Sequence, residues 1–318
     1  MDVPQARGDG LGASEIAEAI GVCPPSWGAP IKLWLEKTGR EQRREAGEEA
    51  FWGQALEPVI RGVYIKRHNL VVRVPRASLY HPAKPWLRAT PDGIASEEDG
   101  LARHLVQIKN IGPRTAADWG TEERREVPPY YLTQAVAEMA VTGLDACTFA
   151  VLIAGQHYFE ATVHRDHELE ADILDAATAF WTCVETDRPP PVDGSAEYGR
   201  YLSTLLAAKS KKVIEAGPDL DAEIGRWRDV RRQLADLELE ESTIKNRIMA
   251  AAVDGQARRV SSSHGMVPIV ESATVRTDWA AMAHAYAKRL GINVQDDVDE
   301  YTTRSPYAFV RAPHGWKG

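Results

Sequence analysis

Cysteine is scarce in this 318-residue chain: Cys23, Cys147 and Cys183 stand far apart with no paired spacing. That excludes a disulfide framework and a zinc site, which need thiols at set intervals. A four-cysteine iron–sulfur cluster is excluded on count alone. Long apolar runs are missing too. No stretch approaches the roughly twenty residues that cross a bilayer, and the N-terminus lacks the charged-then-apolar pattern of a secretory leader. The expectation is a cytoplasmic protein with no membrane partner. Net positive charge is also absent, since 38 Lys and Arg face 46 Asp and Glu for a balance of −8. Such a chain does not grip a polyanion through its overall field.

The charge is unevenly spread, however. Between Ile60 and Arg114, Lys and Arg outnumber Asp and Glu by ten to four. Two readings stand: solvated strand edges, or a basic rim around a site that encloses its substrate. The length allows one large domain or two modest ones.

The organising stretch runs from Thr90 to Asn110. Thr90-Pro91-Asp92-Gly93 is turn chemistry, so Asp92 is expected where one strand ends and a hairpin begins. Leu105-Val106-Gln107-Ile108-Lys109 alternates, with Val106 and Ile108 on one face and Gln107 and Lys109 on the other. Folding the hairpin gathers Asp92, Gln107 and Lys109 on one side of a sheet. A carboxylate, a second oxygen ligand and a lysine at one spot suit metal-assisted phosphodiester hydrolysis, with Mg²⁺ or Mn²⁺ as the ion. The Ile108 carbonyl is a candidate neutral ligand. Gln107 can offer an amide oxygen to a hard cation but brings no charge.

Pro-Asp followed after a hairpin by acid-x-Lys resembles the core of the PD-(D/E)xK nucleases, with Gln107 in the place of the second acid. The flanks narrow the likeness. Gly12-Ala13-Ser14-Glu15-Ile16, Trp52-Gly53-Gln54-Ala55-Leu56-Glu57-Pro58, Trp119-Gly120 and Val127-Pro128-Pro129-Tyr130-Tyr131-Leu132-Thr133-Gln134 are similar to the YqaJ viral recombinases, the lambda exonuclease family. The resemblance covers about residues 7 to 165. It implies an α/β (α+β) fold of restriction-endonuclease type, a mixed sheet flanked by helices. It implies that Glu57 points at the metal beside Asp92, that Gln134 lies near the catalytic Lys109, and that Arg7 and Ser14 hold the 5′-phosphate of a DNA end. Glu138 stands where the family has a tyrosine, and no role follows for it.

The resemblance further implies 5′→3′ degradation of linear double-stranded DNA to leave 3′ overhangs. It also implies a ring of identical subunits, a single-strand annealing protein as partner, and phage or prophage origin in a bacterial host. Two alternatives remain: a non-catalytic DNA-end-binding or assembly protein of the same fold, and a structure-specific endonuclease.

Around this centre the pattern predicts further elements. Residues through about Gln5 read as disordered. Ser14 reads as the N-cap of an amphipathic helix whose first turn is an anion site. A second helix is expected over Ile31–Lys37. A third, over Gly47–Lys66, should carry an apolar stripe of Phe51, Ala55, Leu56, Val59 and Val63, with a bend near Ala55 forced by Pro58. Strands are expected at Leu70–Val74 and Trp86–Ala89. Trp119, in the loop after Lys109, reads as a core side chain rather than a base-stacking platform. Pro128-Pro129 opens a helix to Val141 whose Tyr131, Gln134 and Glu138 share a face. A hairpin over Cys147–Ile153 and His157–His164 and a helix over Asp166–Glu185 complete residues 1–188 as the catalytic core. Residues 189–318 form a mainly helical extension. It comprises helices over Ala196–Glu215 and Leu220–Val253, the latter coiled-coil-like, then a β segment around Gly265–Val275 and an Asp278-capped helix to Leu290.

Overall fold

The turn at Thr90–Gly93 opens a β-hairpin, and the first part of the chain is laid against it. The computed structural model describes residues 10–43, 47–97, 100–207, 213–269 and 279–291. Packing divides the chain into two units, Met1–Leu202 and Ser203–Gly318.

The first unit begins with β1 (Leu11–Gly12), a 3-10 turn at Ala13–Glu15, α1 (Ile16–Ala19), α2 (Pro30–Lys37) and α3 (Glu48–His68). Then come β2 (Val71–Arg73), β3 (Leu79–Tyr80), β4 (Leu87–Ala89) and the hairpin of β5 (Gly93–Ser96) with β6 (Ala102–Ile111). After α4 (Pro113–Ala116) follow α5 (Pro129–Thr142), β7 (Ala146–Ile153), β8 (His157–His164) and α6 (His167–Glu185), and the boundary at Leu202 falls within the next helix, α7 (Ala196–Ala207). Five strands make a mixed sheet in the order β2-β5-β6-β7-β8. Its neighbours are antiparallel except β6 and β7, which run parallel from Leu105 opposite Cys147 to Ile111 opposite Ile153. A parallel pair cannot be closed by a tight turn, so the chain crosses over through α5. With helices on both faces this is the mixed α/β architecture expected. A small second sheet, β1-β4-β3, ties the N-terminal strand to the segment that precedes Asp92.

The period-two pattern of β6 sorts its side chains between two cores. Val106 and Ile108 join Ile60, Tyr64, Ala95 and Ala150 beneath α3. Leu105 and Ile111 join Phe149 and Val151 with residues of α2, α5 and α6. Gln107 and Lys109 share the parity of Leu105 and therefore face α5.

Three local expectations are corrected. No fresh helix starts near Ala55: α3 continues through Pro58 for 21 residues. Proline removes one N–H bond to the carbonyl four residues earlier; here both Gln54 and Pro58 are exposed, so water can solvate that carbonyl. The buried stripe of α3 is also rotated from the one expected. Leu56, Ile60 and Tyr64 face the sheet, while Phe51 and Val59 are each 60% exposed. Two apolar stripes were compatible with the 3.6 period, and the sheet selects the one that meets Val106 and Ile108. Ser14, finally, does not cap a long helix. It lies inside the 3-10 turn, and the Gly12 N–H is taken by the Glu15 carboxylate at 2.7 Å.

In the second unit, α8 (Pro218–Asp254) is a 37-residue helix, followed by the hairpin of β9 (Arg259–Ser262) with β10 (Gly265–Pro268) and by α9 (Trp279–Leu290). The expected β segment therefore starts earlier than Gly265. The helix from Ala196 ends at Ala207 among the described residues, and Val213–Glu215 are not helical. Arg7, the first residues through Gln5 and the Asp278 cap lie outside the described residues.

Candidate active site

Asp92 sits immediately before β5, and its Oδ2 accepts the N–H of Ile108 at 2.8 Å. This bond ties the turn to the middle of β6, so the hairpin delivers the Asp92 carboxylate beside Lys109. From α3, Glu57 approaches the same place. Its carboxyl is held above the usual carboxylate range first by burial and then by the nearby Asp92 charge, against the pull of Arg61 and Lys109. Arg61, one turn on, pairs with Glu57 directly. The carboxylate oxygens of Glu57 and Asp92 are donors of the type that a hard divalent ion takes.

Gln107 is fully buried, with 0% exposure. Its Oε1 accepts from Lys109 Nζ at 3.1 Å and from Gln134 Nε2 at 3.1 Å. Both lone pairs of the amide oxygen are thereby engaged. Gln134 Oε1 accepts from the same Lys109 ammonium at 3.2 Å. Lys109 also lies 4.9 Å from the centroid of the Tyr131 ring, whose π face favours a cation.

Glu138 is the residue that sequence reasoning passed over. It is 1% exposed, one turn after Gln134 on α5, and its two oxygens accept from Gln107 Nε2 at 2.7 Å and Gln134 Nε2 at 3.0 Å. Burial pushes its carboxyl up to about 7; the Gln134 hydrogen bond and the Lys109 charge pull the other way. The available signal was the shared helical face of Gln134 and Glu138, read together with an amide standing where an acid was expected.

Ser14 adjoins the Lys109 cluster. A cavity of about 200 Å³ is lined by Ser14, Arg43, Ser78, Arg88, Thr90, Gln134 and Glu138, among others. Ser78 and Thr90 share a hydroxyl hydrogen bond at 2.9 Å. Arg88 and Arg43 are cations of this cavity that the sequence alone did not single out. Glu15, also on its wall, is neutralised by Lys37 at 2.7 Å and Arg43 at 3.2 Å. Trp119 is a core residue as expected, 0% exposed and packed edge-on against Phe149 and Phe159.

The fold and the cluster together define a mixed α/β protein with two acids, a lysine and an amide pair at the head of a β-hairpin. Residues 4–145 match the YqaJ-like viral recombinase domain. Over 255 residues it is 27% identical to the protein YqaJ of Bacillus subtilis (strain 168), covering 79% of this chain and 77% of that one. A shorter likeness, 29% over 126 residues, links it to the protein R354 of Acanthamoeba polyphaga mimivirus, covering 38% of this chain and 23% of the viral protein. Among solved structures, the alkaline exonuclease LHK-Exo of Laribacter hongkongensis superposes with a TM-score of 0.47 at 24% identity, over 57% of this chain and 91% of that one. No helix among the described residues is long and apolar enough to cross a membrane.

Proposed function

We propose that this chain is a divalent-metal-dependent nuclease that degrades linear double-stranded DNA from its ends. The observation that carries the reading is the convergence of Glu57, Asp92 and Lys109 on one spot beside a cavity containing Ser14, Arg43 and Arg88. Glu57 and Asp92 are the anionic ligands we assign to Mg²⁺ or Mn²⁺, with the Ile108 carbonyl as a neutral candidate; the Gln107 oxygen could join them only by giving up its bond from Lys109 or Gln134. When bound, such an ion lowers the pKa of a water and neutralises charge on the scissile phosphate. Lys109 donates to the phosphate oxygens on which charge builds. The arginine-lined cavity takes the 5′-phosphate of the end, with Ser14 and Thr90 as hydroxyl donors and Arg7 as a further candidate. A terminal phosphate recognised this way fits 5′→3′ progress, a 3′ overhang as product, and hand-over to a single-strand annealing protein. Residues 1–188 are the part to which we assign catalysis, assembled as a ring of identical subunits in the cytoplasm of a bacterial host, from a phage or prophage.

The test is nucleotide release from linear duplex and from covalently closed circular DNA, with Mg²⁺, Mn²⁺ or a chelator. Linear DNA should be degraded only with metal, closed circles spared, and Asp92→Ala or Lys109→Ala should lower turnover at least about a thousandfold. Cleavage of closed circles would make the protein an endonuclease. DNA 5′-phosphorylated at its ends should be consumed faster than 5′-hydroxyl DNA, with Ser14→Ala and Arg88→Ala narrowing the gap. The engagement of both Gln107 lone pairs favours a second reading, DNA-end binding without hydrolysis; retained binding with no turnover under any metal would select it.

A further inference from the structure

The buried cluster on β6 and α5 has a property that its members do not have singly. A carboxylate and an ammonium face each other across two amides. Glu138 can only accept hydrogen bonds when ionised, and the Lys109 ammonium can only donate. Each glutamine between them must therefore turn its NH₂ to Glu138 and its oxygen to Lys109. Gln107 does so at 2.7 and 3.1 Å, and Gln134 at 3.0 and 3.2 Å. The second N–H of Gln134 closes the set on Gln107 Oε1 at 3.1 Å. An amide alone has no preference for either end, because its two faces are nearly isosteric. The orientation here is set jointly by Glu138, which takes the two NH₂ groups, and Lys109, which takes the two oxygens.

We propose that Glu138 is the positioning residue for Lys109: acting through the amides of Gln107 and Gln134, its carboxylate decides which atoms surround the ammonium. This rests on the nuclease reading only in naming Lys109 as the group that acts on the phosphate. The isosteric substitution Glu138→Gln exposes the logic. An amide at 138 has one oxygen and one NH₂, where the carboxylate had two oxygens. Whichever way it is set, one of the two glutamines meets a donor with its own donor. That glutamine turns over, and Lys109 then faces an NH₂ in place of one of its two acceptors. Lys109 loses its fixed direction although no atom of its own has changed.

The same reasoning names a rescue. In the exchange Gln107→Glu with Glu138→Gln, the acid at 107 accepts from Lys109 and Gln134 with one oxygen and from the new amide NH₂ with the other. The oxygen of the amide at 138 accepts from Gln134, and every donor again has an acceptor. Gln107→Glu alone instead sets two carboxylates face to face where 2.7 Å now separates an amide from an acid. One of the two must then keep a proton.

The experiment uses full-length protein at about pH 8.5 with three versions: unmodified, Glu138→Gln and the exchange. Two quantities are read: steady-state degradation of linear duplex DNA, and the Lys109 ammonium resonance in lysine-labelled protein. Glu138→Gln should lower kcat about a hundredfold with KM for DNA within about threefold, the pattern of a group misplaced in the transition state. Its Lys109 ammonium protons should exchange with solvent faster than those of the unmodified protein. The exchange should restore both readings to within about fivefold. An unshifted Lys109 resonance in Glu138→Gln overturns the proposal, as does a kcat within twofold of the unmodified protein or an exchange that recovers neither reading. Absence of turnover in the unmodified protein overturns the nuclease reading instead, and the resonance then decides the positioning claim by itself. Should Glu138→Gln fail to fold, a folded exchange with a slow-exchanging Lys109 supports the proposal and a disordered one refutes it.

Discussion

Two helices of this chain, α5 and α8, solve opposite problems. In α5 nine of fourteen residues are buried, including the ionisable Glu138. In α8, 37 residues long, Ala252 is the buried residue among those described, and Leu234, Leu237 and Ile244 of its apolar seam are exposed. The first helix exists because a crossover between parallel strands must pack on the sheet, so its stability is borrowed from tertiary contacts. The second is carried by length and by composition rich in helix formers, with intrahelical pairs such as Glu241 with Lys245 at 2.6 Å. A site that must hold four polar side chains in register is built on the borrowed kind. Rigid neighbours are what fix rotamers and amide orientation.

The contrast can be broken or sharpened by mutation. The largest effect should follow Met139→Ala on α5, where a fully buried side chain would leave a cavity against the sheet. Thermal or denaturant unfolding should register a loss of about 2–5 kcal/mol. An intermediate and pH-dependent effect belongs to Glu138. Its carboxyl is raised from 4.5 to about 7, so between those values the folded chain holds a proton that the unfolded chain has released. Stability from this group therefore falls as pH rises through that window. Glu138→Gln, with nothing to titrate, should lose less between pH 5 and 8 than the unmodified protein, as seen by melting temperature; parallel pH profiles would contradict the assignment. The smallest effect should come from Leu237→Ala on α8, within about 0.5 kcal/mol. A loss of several kcal/mol there would mean that the seam is covered in solution and that the two helices are less different than they look.

Much of the first unit was legible from sequence because its signals are local. Pro91-Asp92-Gly93 can hardly be anything but a turn, and the alternation over 105–109 assigns faces without knowledge of what covers them. The β7–β8 hairpin and the burial of Trp119 follow in the same way. The α3 stripe was misjudged because Phe51, Val59 and Val63 compete with Ile60 and Tyr64 on the same cylinder. Only the partner surface settles such a choice. Glu138 escaped for a related reason. Taken singly, Gln107 is a lost acid and Glu138 a misplaced one; the crossover that sets them 2.7 Å apart is a property of the sheet. Ser14 lines the cavity from within a 3-10 turn and not as the cap that was expected, since a hydroxyl before an amphipathic run suggests a cap whether or not the helix lasts.

The parallel pairing of β6 with β7 also has a consequence for the order in which this chain matures on the ribosome. A nascent chain that has emerged as far as Ile111 already carries Glu57, Asp92, Gln107 and Lys109. It still lacks Tyr131 and Gln134, the α5 side chains that contact the lysine, and the strand that β6 pairs with on that side, because these lie between Tyr131 and Ile153. Hairpin contacts can form early, whereas the crossover closes only after some forty further residues have been added. The polar cluster is thus completed only once the segment that encloses it has been made.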